Sequence, residues 1–239
     1  MRNVLITGAS RGLGLEFARQ YAADGWRVYA GARAPERAAA LAALAASAGG
    51  RVSVHPLDVA AAASVVALAA ELAGTSIDVL LNNAGTMGAQ TFATQGVGAQ
   101  RFGTVDYDDW LQTFRVNAQG PLRMAECFVE HVAASEQRKI VTLTSIVGSI
   151  GGNSFGGLYS YRSSKAAANA IMKSLALDLA RRNIIAVPVH PGWARTELGG
   201  AQAPVSVAQS VAGLRAVIAG LTREKSGRFW QWDGTELGW

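Results

Sequence analysis

Short apolar runs recur along this chain, each followed by a stretch with helical spacing, and that alternation narrows the choice of fold more than any other feature. Val4-Leu5-Ile6 is the first run, unbroken in apolar character as a strand buried on both faces should be. It enters Thr7-Gly8-Ala9-Ser10-Arg11-Gly12-Leu13-Gly14 and then a helical pattern with apolar Leu13, Phe17, Ala18 and Tyr21. Comparable runs follow at residues 26–32, 51–57, 77–81, 139–145, 184–190 and 228–232. Between them lie helical patterns: an alanine-rich stretch opened by Pro35 and closed by Gly49-Gly50, then residues 60–73, 108–134, 161–180 and 205–221. Strands and helices alternating with right-handed crossovers build a parallel sheet between two helical layers. The expectation is one α/β domain over residues 1–239, doubly wound around a mostly parallel, seven-stranded sheet, with no linker and no repeat.

Bulk properties exclude several classes. Half the residues are hydrophobic and 16% charged, a composition suited to a well-buried globular core. No apolar run approaches the ~18 residues needed to span a bilayer, so no membrane role is expected. The chain enters its first strand directly, without the apolar core of a signal peptide, and Cys127 is its single cysteine. No internal disulfide can form, and a cytoplasmic location is the expectation. The formal charge of +5 comes from scattered rather than clustered basic residues, which argues against a nucleic-acid partner. Three scattered histidines, His55, His131 and His190, and one cysteine show no ligand spacing for a metal, so no metal site is expected. Ser145 has no nucleophile-elbow glycines, and a hydrolase is poorly supported.

What remains is a cofactor-binding crevice. Strand, glycine loop and helix form the layout in which backbone N–H groups and a helix N-terminus hold a pyrophosphate. Nicotinamide-binding sheets usually carry an acid at the end of the second strand for the ribose 2′-hydroxyl. Here Arg33 stands there, and Arg11 lies in the glycine loop. Two guanidiniums suit a 2′-phosphate, so NADP(H) is the preferred cofactor, with NAD(H) as alternative; solvated surface arginines would be the bland explanation. Asp58, at the end of the third strand, could meet an adenine amino group or cap the next helix. Asn82-Asn83-Ala84-Gly85 ends the fourth strand, where amides can hold a loop's backbone and glycine admits a ligand. Residues 86–104 show no clear period and read as a surface loop or short helix. Pro191-Gly192 follows the sixth strand on the ligand side, and the small, flexible residues after it suggest a lid around 193–206.

Chemistry enters with Tyr161 and Lys165, four apart on a helical pattern and therefore on one face. Alone such a pair could be an exposed helix contact. A phenol, of ordinary pKa about 10, is a poor acid–base group at neutral pH, and a nearby ammonium favours its ionised form. Bringing it to about 7 needs roughly 4 kcal/mol of differential stabilisation. Ser145 ends a strand from which its hydroxyl could face the same cleft. Asn117 sits within the predicted 108–134 helix, where asparagine is a mediocre former.

Together, Thr7-Gly8-x-x-x-Gly12-x-Gly14, Asn82-Asn83-Ala84-Gly85, Asn117, Ser145, Tyr161-x-x-x-Lys165 and Pro191-Gly192 resemble the short-chain dehydrogenase/reductase family along essentially the whole chain. The C-terminal half, with His190-Pro191-Gly192-Trp193-x-x-Thr196 and Trp232-Asp233-Gly234-Thr235, is most similar to the branch containing C-factor and sniffer-type carbonyl reductases. The gap from Ser145 to Tyr161 is longer than in the commonest members. The resemblance implies a Rossmann fold and an NADP(H)-dependent oxidoreductase acting on a small carbonyl or secondary alcohol. In it Tyr161 is the proton donor or acceptor, Lys165 tunes the phenol and holds the nicotinamide ribose, Ser145 orients the carbonyl, and Asn117 anchors a relay water. It further implies phosphate contacts from Gly8, Ser10, Arg11, Gly12, Leu13 and Gly14, adenine contacts from Asp58 and Val59, and adenosine-side contacts from Asn83, Ala84 and Gly85. Pro191, Gly192, Ala194 and Thr196 would fix the carboxamide end. A homodimer or tetramer is the implied assembly. A rival reading is a cofactor-binding sensor or signalling protein of the same fold with little turnover.

Overall fold

The computed structural model describes residues 1–239, leaving aside the side chains of Phe92, Ala93 and Val97. In chain order the elements are β1 (Asn3–Thr7), α1 (Gly12–Ala23), β2 (Arg27–Ala32), α2 (Ala39–Ser47), β3 (Val52–Pro56), α3 (Ala62–Glu71), β4 (Val79–Asn82) and the short α4 (Phe92–Gln95). Then come α5 (Tyr107–Phe114), α6 (Gly120–Ala133), β5 (Lys139–Leu143), α7 (Tyr159–Asp178), β6 (Ile185–His190), α8 (Val207–Ala219), β7 (Phe229–Gln231) and β8 (Glu236–Leu237). Among the described residues the strands form one sheet in the order β3-β2-β1-β4-β5-β6-β7-β8. All neighbours are parallel except β7 and β8. Chain direction through the sheet reverses between β1 and β4, the position at which doubly wound folds open a ligand crevice.

Alternation along each strand assigns residues to two cores. Val4 and Ile6 of β1, with Val141 and Val187, face Phe17, Tyr21 and Leu214 from α1 and α8. Leu5, Leu80, Ile140 and Ala186 face the other way, onto Leu68 of α3, Phe128 of α6 and Met172 of α7. Both faces are therefore apolar, which explains why the strands read as unbroken hydrophobic runs.

Two departures from the sequence reading have clear causes. The sheet has an eighth strand, because Asp233-Gly234 makes a tight turn. Gly234 takes φ +90, Asp233 Oδ1 accepts Thr235 N–H at 3.0 Å, and Gln231 N–H meets Thr235 O at 2.8 Å. The predicted 108–134 helix is interrupted by a π turn at Arg115–Gln119. That widening accompanies a side-chain commitment, since Asn117 bonds outside the helix (below), and such bulges cluster at functional sites.

Phe128 is fully buried in the second core. Phe128→Ala should cost about 3–5 kcal/mol in urea unfolding, the usual range for emptying an aromatic core position. A loss below about 1 kcal/mol would show that the α6 face packs more loosely than described.

Candidate active site

The helix carrying Tyr161 is fixed at its start by groups far away in sequence. Leu158, just before α7, takes the left-handed φ of +54 and packs with Met87 and Ala99, against which the Tyr161 ring also lies. Gln100, itself buried, accepts Tyr161 N–H through Oε1 at 3.0 Å while its Nε2 donates to Met87 O at 2.7 Å. Residues 86–104, a surface loop by sequence, thus supply the clamp on the first turn of α7. On the other side, Ser145 opens a short turn at Ile146–Gly148 that closes onto α7. A Cβ on Gly148 would stand 2.8 Å from the Lys165 carbonyl carbon, so only glycine allows that approach.

These constraints bring the predicted catalytic residues together. The Ser145 hydroxyl stands close enough to Tyr161 to favour the ionised form of the phenol. Lys165 is 5% exposed, and its Nζ donates to Leu143 O at 2.9 Å and lies 5.7 Å from the Tyr161 ring centroid. Asn117 Oδ1 accepts Thr86 N–H at 2.9 Å, and its Nδ2 donates to Thr86 O at 2.7 Å and Ser164 Oγ at 3.0 Å. A Cβ on Gly85 would sit 3.4 Å from Lys165 Nζ and 3.5 Å from Asn117 Oδ1, which places the end of β4 beside both.

The electrostatics run against the sequence expectation for the phenol. Burial pushes Tyr161 up to about 12, opposed only by the bond from Ser145, and burial pushes Lys165 down to about 8. The ammonium is committed to the Leu143 carbonyl rather than to the phenol oxygen, and desolvation penalises the charged form of each partner. Burial thus favours the neutral phenol, against the expectation that it is drawn down to about 7.

The glycine loop lies across the reversal of the sheet. Ala9 N–H bonds Gly31 O at 2.9 Å, tying the loop to the end of β2, where exposed Arg33 follows. Thr7 Oγ1 accepts N–H groups from Asn83 and Ala84 at 3.0 and 2.9 Å. Asn83 Nδ2 reaches back to Thr7 O and Gly8 O at 2.9 and 3.0 Å. Gly8 and Gly12 take positive φ, Ser10 is half-buried, Leu13 packs on the first core, and no side chain caps the first turn of α1. Arg11 is exposed and ion-pairs with Glu197 across the mouth of the crevice. Asp58 Oδ1 accepts Ala60 N–H at 2.9 Å, so one carboxylate oxygen serves the backbone before α3, and Val59 is buried beside it. Beyond β6, Pro191 O accepts Ser210 Oγ–H at 2.6 Å and Gly192 has φ +75. Ala194 bridges to Val205, and Thr196 Oγ1 accepts Gly199 N–H at 3.0 Å.

This constellation agrees with known proteins. A family model described as short chain dehydrogenase matches residues 2–205. The chain belongs to the short-chain dehydrogenase family. Over 163 residues, 68% of this chain and 93% of the relative, it is 40% identical to the C-signal of Myxococcus xanthus. The carbonyl reductase Sniffer of D. melanogaster superposes with a TM-score of 0.90 at 31% identity, covering 100% of both chains. The NADPH-bound carbonyl reductase from chicken fatty liver does so at 0.89 and 30% identity, covering 100% of this chain and 99% of that one.

Within this short-chain dehydrogenase, sequence reasoning missed Thr7, Gln100, Ser164 and Glu197. Thr7 precedes the first motif glycine and Ser164 precedes Lys165, so both lay inside motifs already singled out. Gln100 and Glu197 carried no local signal, because their partners are distant. Two surface cavities, ≈ 350 and ≈ 580 Å³, lie elsewhere, lined by residues such as Trp230 and Trp232 or Arg2 and Lys139. Neither includes Tyr161, and the crevice is identified by its chemistry. No helix among the described residues is long and apolar enough to cross a membrane.

Gly14 tests the loop directly. A Cβ there would lie 2.2 Å from Gly8 O and 2.5 Å from Asn83 Nδ2. Gly14→Ala should therefore destabilise the fold by about 1–3 kcal/mol in denaturant unfolding. A variant as stable as the parent would refute the close approach of α1 to the loop.

Proposed function

We propose that this protein is an NADP(H)-dependent oxidoreductase that reduces small carbonyl compounds, or oxidises the matching secondary alcohols, with Tyr161 as proton donor or acceptor. The observation that carries the reading is the convergence of the Tyr161 phenol, the Ser145 hydroxyl and the buried Lys165 ammonium at one point of the crevice. NADPH bound in the chicken carbonyl reductase supports the cofactor assignment.

The residues present fit that cofactor. The uncapped N-terminus of α1 and the backbone of Ser10 to Leu13 can receive phosphates, with Gly8 and Gly14 keeping side chains out of the approach. Arg33 follows β2 and would take a 2′-phosphate, joined by Arg11 once it leaves its pair with Glu197. The Arg11–Glu197 pair is exposed at both ends, so it is worth little and readily yields to a phosphate. Asp58 has a carboxylate oxygen beyond its Ala60 bond for the adenine amino group, and Val59 and Asn83 to Gly85 line the adenosine side. Pro191, Gly192, Ala194 and Thr196 would meet the carboxamide. Residues 193–206 would form the lid over the substrate.

Hydride to the carbonyl carbon is the chemistry that the nicotinamide supplies when bound. Ser145 donates to the carbonyl oxygen and holds it against the Tyr161 hydroxyl, whose proton passes to that oxygen to complete the alcohol. Lys165 then faces the phenolate left behind and stabilises its charge. Asn117, its side chain occupied by Thr86 and Ser164, fixes the π turn beside Lys165, and any water there would rest on the backbone. The likeness to the C-signal favours a second reading, a cofactor-binding signalling protein with little turnover, but such a role makes no use of the Tyr161–Lys165–Ser145 grouping.

Lys165 sets the pH dependence. Its proton, held below a pKa of about 8, is lost as pH rises through that value. Reduction by NADPH should therefore be flat at lower pH and fall above about 8, and Tyr161→Phe should lose roughly 100-fold or more in kcat throughout. A rate that climbs through that range, or survives Tyr161→Phe, would contradict the assignment. For cofactor choice, Arg33→Ala should raise KM for NADPH roughly tenfold or more, the usual loss for a charged hydrogen bond, with little change for NADH. Equal effects on both cofactors would reject the 2′-phosphate role.

A further inference from the structure

Near Lys165 lies a set of buried side chains with polar atoms that find no protein partner among the described residues. Asn82, Thr144, Asn169 and His190 are 2%, 3%, 3% and 7% exposed. Asn82 Oδ1, Thr144 Oγ1, both amide atoms of Asn169 and His190 Nδ1 are without a protein hydrogen bond among the described residues.

They share one face of the sheet. Asn82 is paired with Thr142 in the β4–β5 register and donates to its Oγ1 at 3.2 Å, while Thr142 donates to Met172 Sδ on α7 at 3.0 Å. Thr144 stands two residues past Thr142, and its N–H continues the ladder to Val189 O at 2.8 Å. His190 stands two residues past Pro188, which is paired with Thr142. Asn169 is three residues before Met172 and four after Lys165, on the buried face of α7. The strand ends thus present these groups on the face that α7 covers, with Asn169 one turn along α7 from Lys165, whose charge is felt at His190.

Leaving such atoms dry is costly, and native interiors rarely tolerate several together. A buried water makes about three hydrogen bonds, and this space offers donors and acceptors from four side chains. Lys165 has spare N–H groups too, since its protein bond goes to Leu143 O. We propose that ordered water fills this chamber, hydrogen-bonded to Asn169, His190 and Thr144 and reaching the Lys165 ammonium, which makes Asn169 and His190 positioning residues that keep Lys165 charged. The inference rests on the reductase reading for its purpose, though not for its geometry. It is separate from the Asn117 side, where the amide is already taken up by Thr86 and Ser164.

The ionisable groups facing Lys165 are Tyr161 from α7 and His190 from β6, with Asp233 acting on His190 from the β7–β8 turn. Burial, against the pull of Asp233 and helped by the charge on Lys165, pushes His190 down to about 4. His190 is thus neutral while Lys165 titrates, and its Nδ1 offers water a donor or an acceptor, according to tautomer, rather than a second charge.

Two measurements decide the matter without turnover. A high-resolution crystal structure of the wild-type protein with NADP should show ordered water within hydrogen-bond reach of Asn169 and His190 Nδ1 and linked to Lys165 Nζ. A dry chamber, or direct bonds among these side chains, overturns the proposal. In parallel, Lys165 can be titrated by NMR of lysine labelled with carbon-13 at Cε, its signal assigned with Lys165→Arg. Asn169→Leu should lower the midpoint by about one pH unit, a tenfold loss of the charged form. Asn169→Ser, which keeps a polar group and admits more water, should leave it near wild type. Thr144→Val, nearly the same shape, should lower it also and serves if Asn169→Leu does not fold. Midpoints unchanged in both apolar variants overturn the positioning role. Absence of any reductase activity in the wild type would instead refute the proposed function, leaving these outcomes to judge the water.

Discussion

Burial makes a phenol and an amine each resist taking on charge, and the surrounding fold has to keep both within reach of one substrate oxygen. Burial raises Tyr161 to about 12 and lowers Lys165 to about 8, so near neutrality one carries its proton and the other its charge. That combination suits a donor that must release a proton only when a carbonyl oxygen gains negative charge, beside a cation that stabilises what remains. Ser145, whose hydroxyl acts on the phenol, stands where the proposed carbonyl oxygen would be received.

Holding that arrangement draws on segments far apart in the chain. Gln100 and Leu158 fix the start of α7, Gly148 lets the Ser145 turn press onto it, and Ser164 joins it to Asn117 and the π turn. Thr7 and Asn83 lock the glycine loop to the end of β4 by hydrogen bonds in both directions. The two halves of the crevice meet at the sheet reversal, with Gly85 beside Lys165 and Asn117. The proposed proton chemistry and phosphate binding would thereby share one frame, while the Arg11–Glu197 pair crosses the mouth as a weak tie.

The frame was legible in the sequence where signals are local. Buried parallel strands read as continuous apolar runs, the glycine loop sits between a strand and a helix, and Tyr161 and Lys165 are one turn apart. Elements that depend on distant partners were not. Gln100 lies in a segment without periodicity, and its importance comes from a carbonyl at Met87 and an amide at Tyr161. The π turn reflects what Asn117 bonds across space, and helix propensity carries no trace of that. The Asp233-Gly234 hairpin was readable as a turn, but its returning strand of two residues is too short to show a period. The direction in which Tyr161 is tuned was misjudged because helical spacing reports proximity and says nothing of desolvation or of the Leu143 carbonyl that claims the ammonium.

The central claim is that burial keeps Tyr161 protonated until a carbonyl oxygen draws its proton away. The most direct measurement is an ultraviolet titration of tyrosinate absorbance in the wild-type protein, with Tyr161→Phe subtracted to isolate the one phenol. The account predicts no ionisation of Tyr161 near neutral pH and a midpoint displaced toward about 12. A phenolate already formed at neutral pH would contradict it.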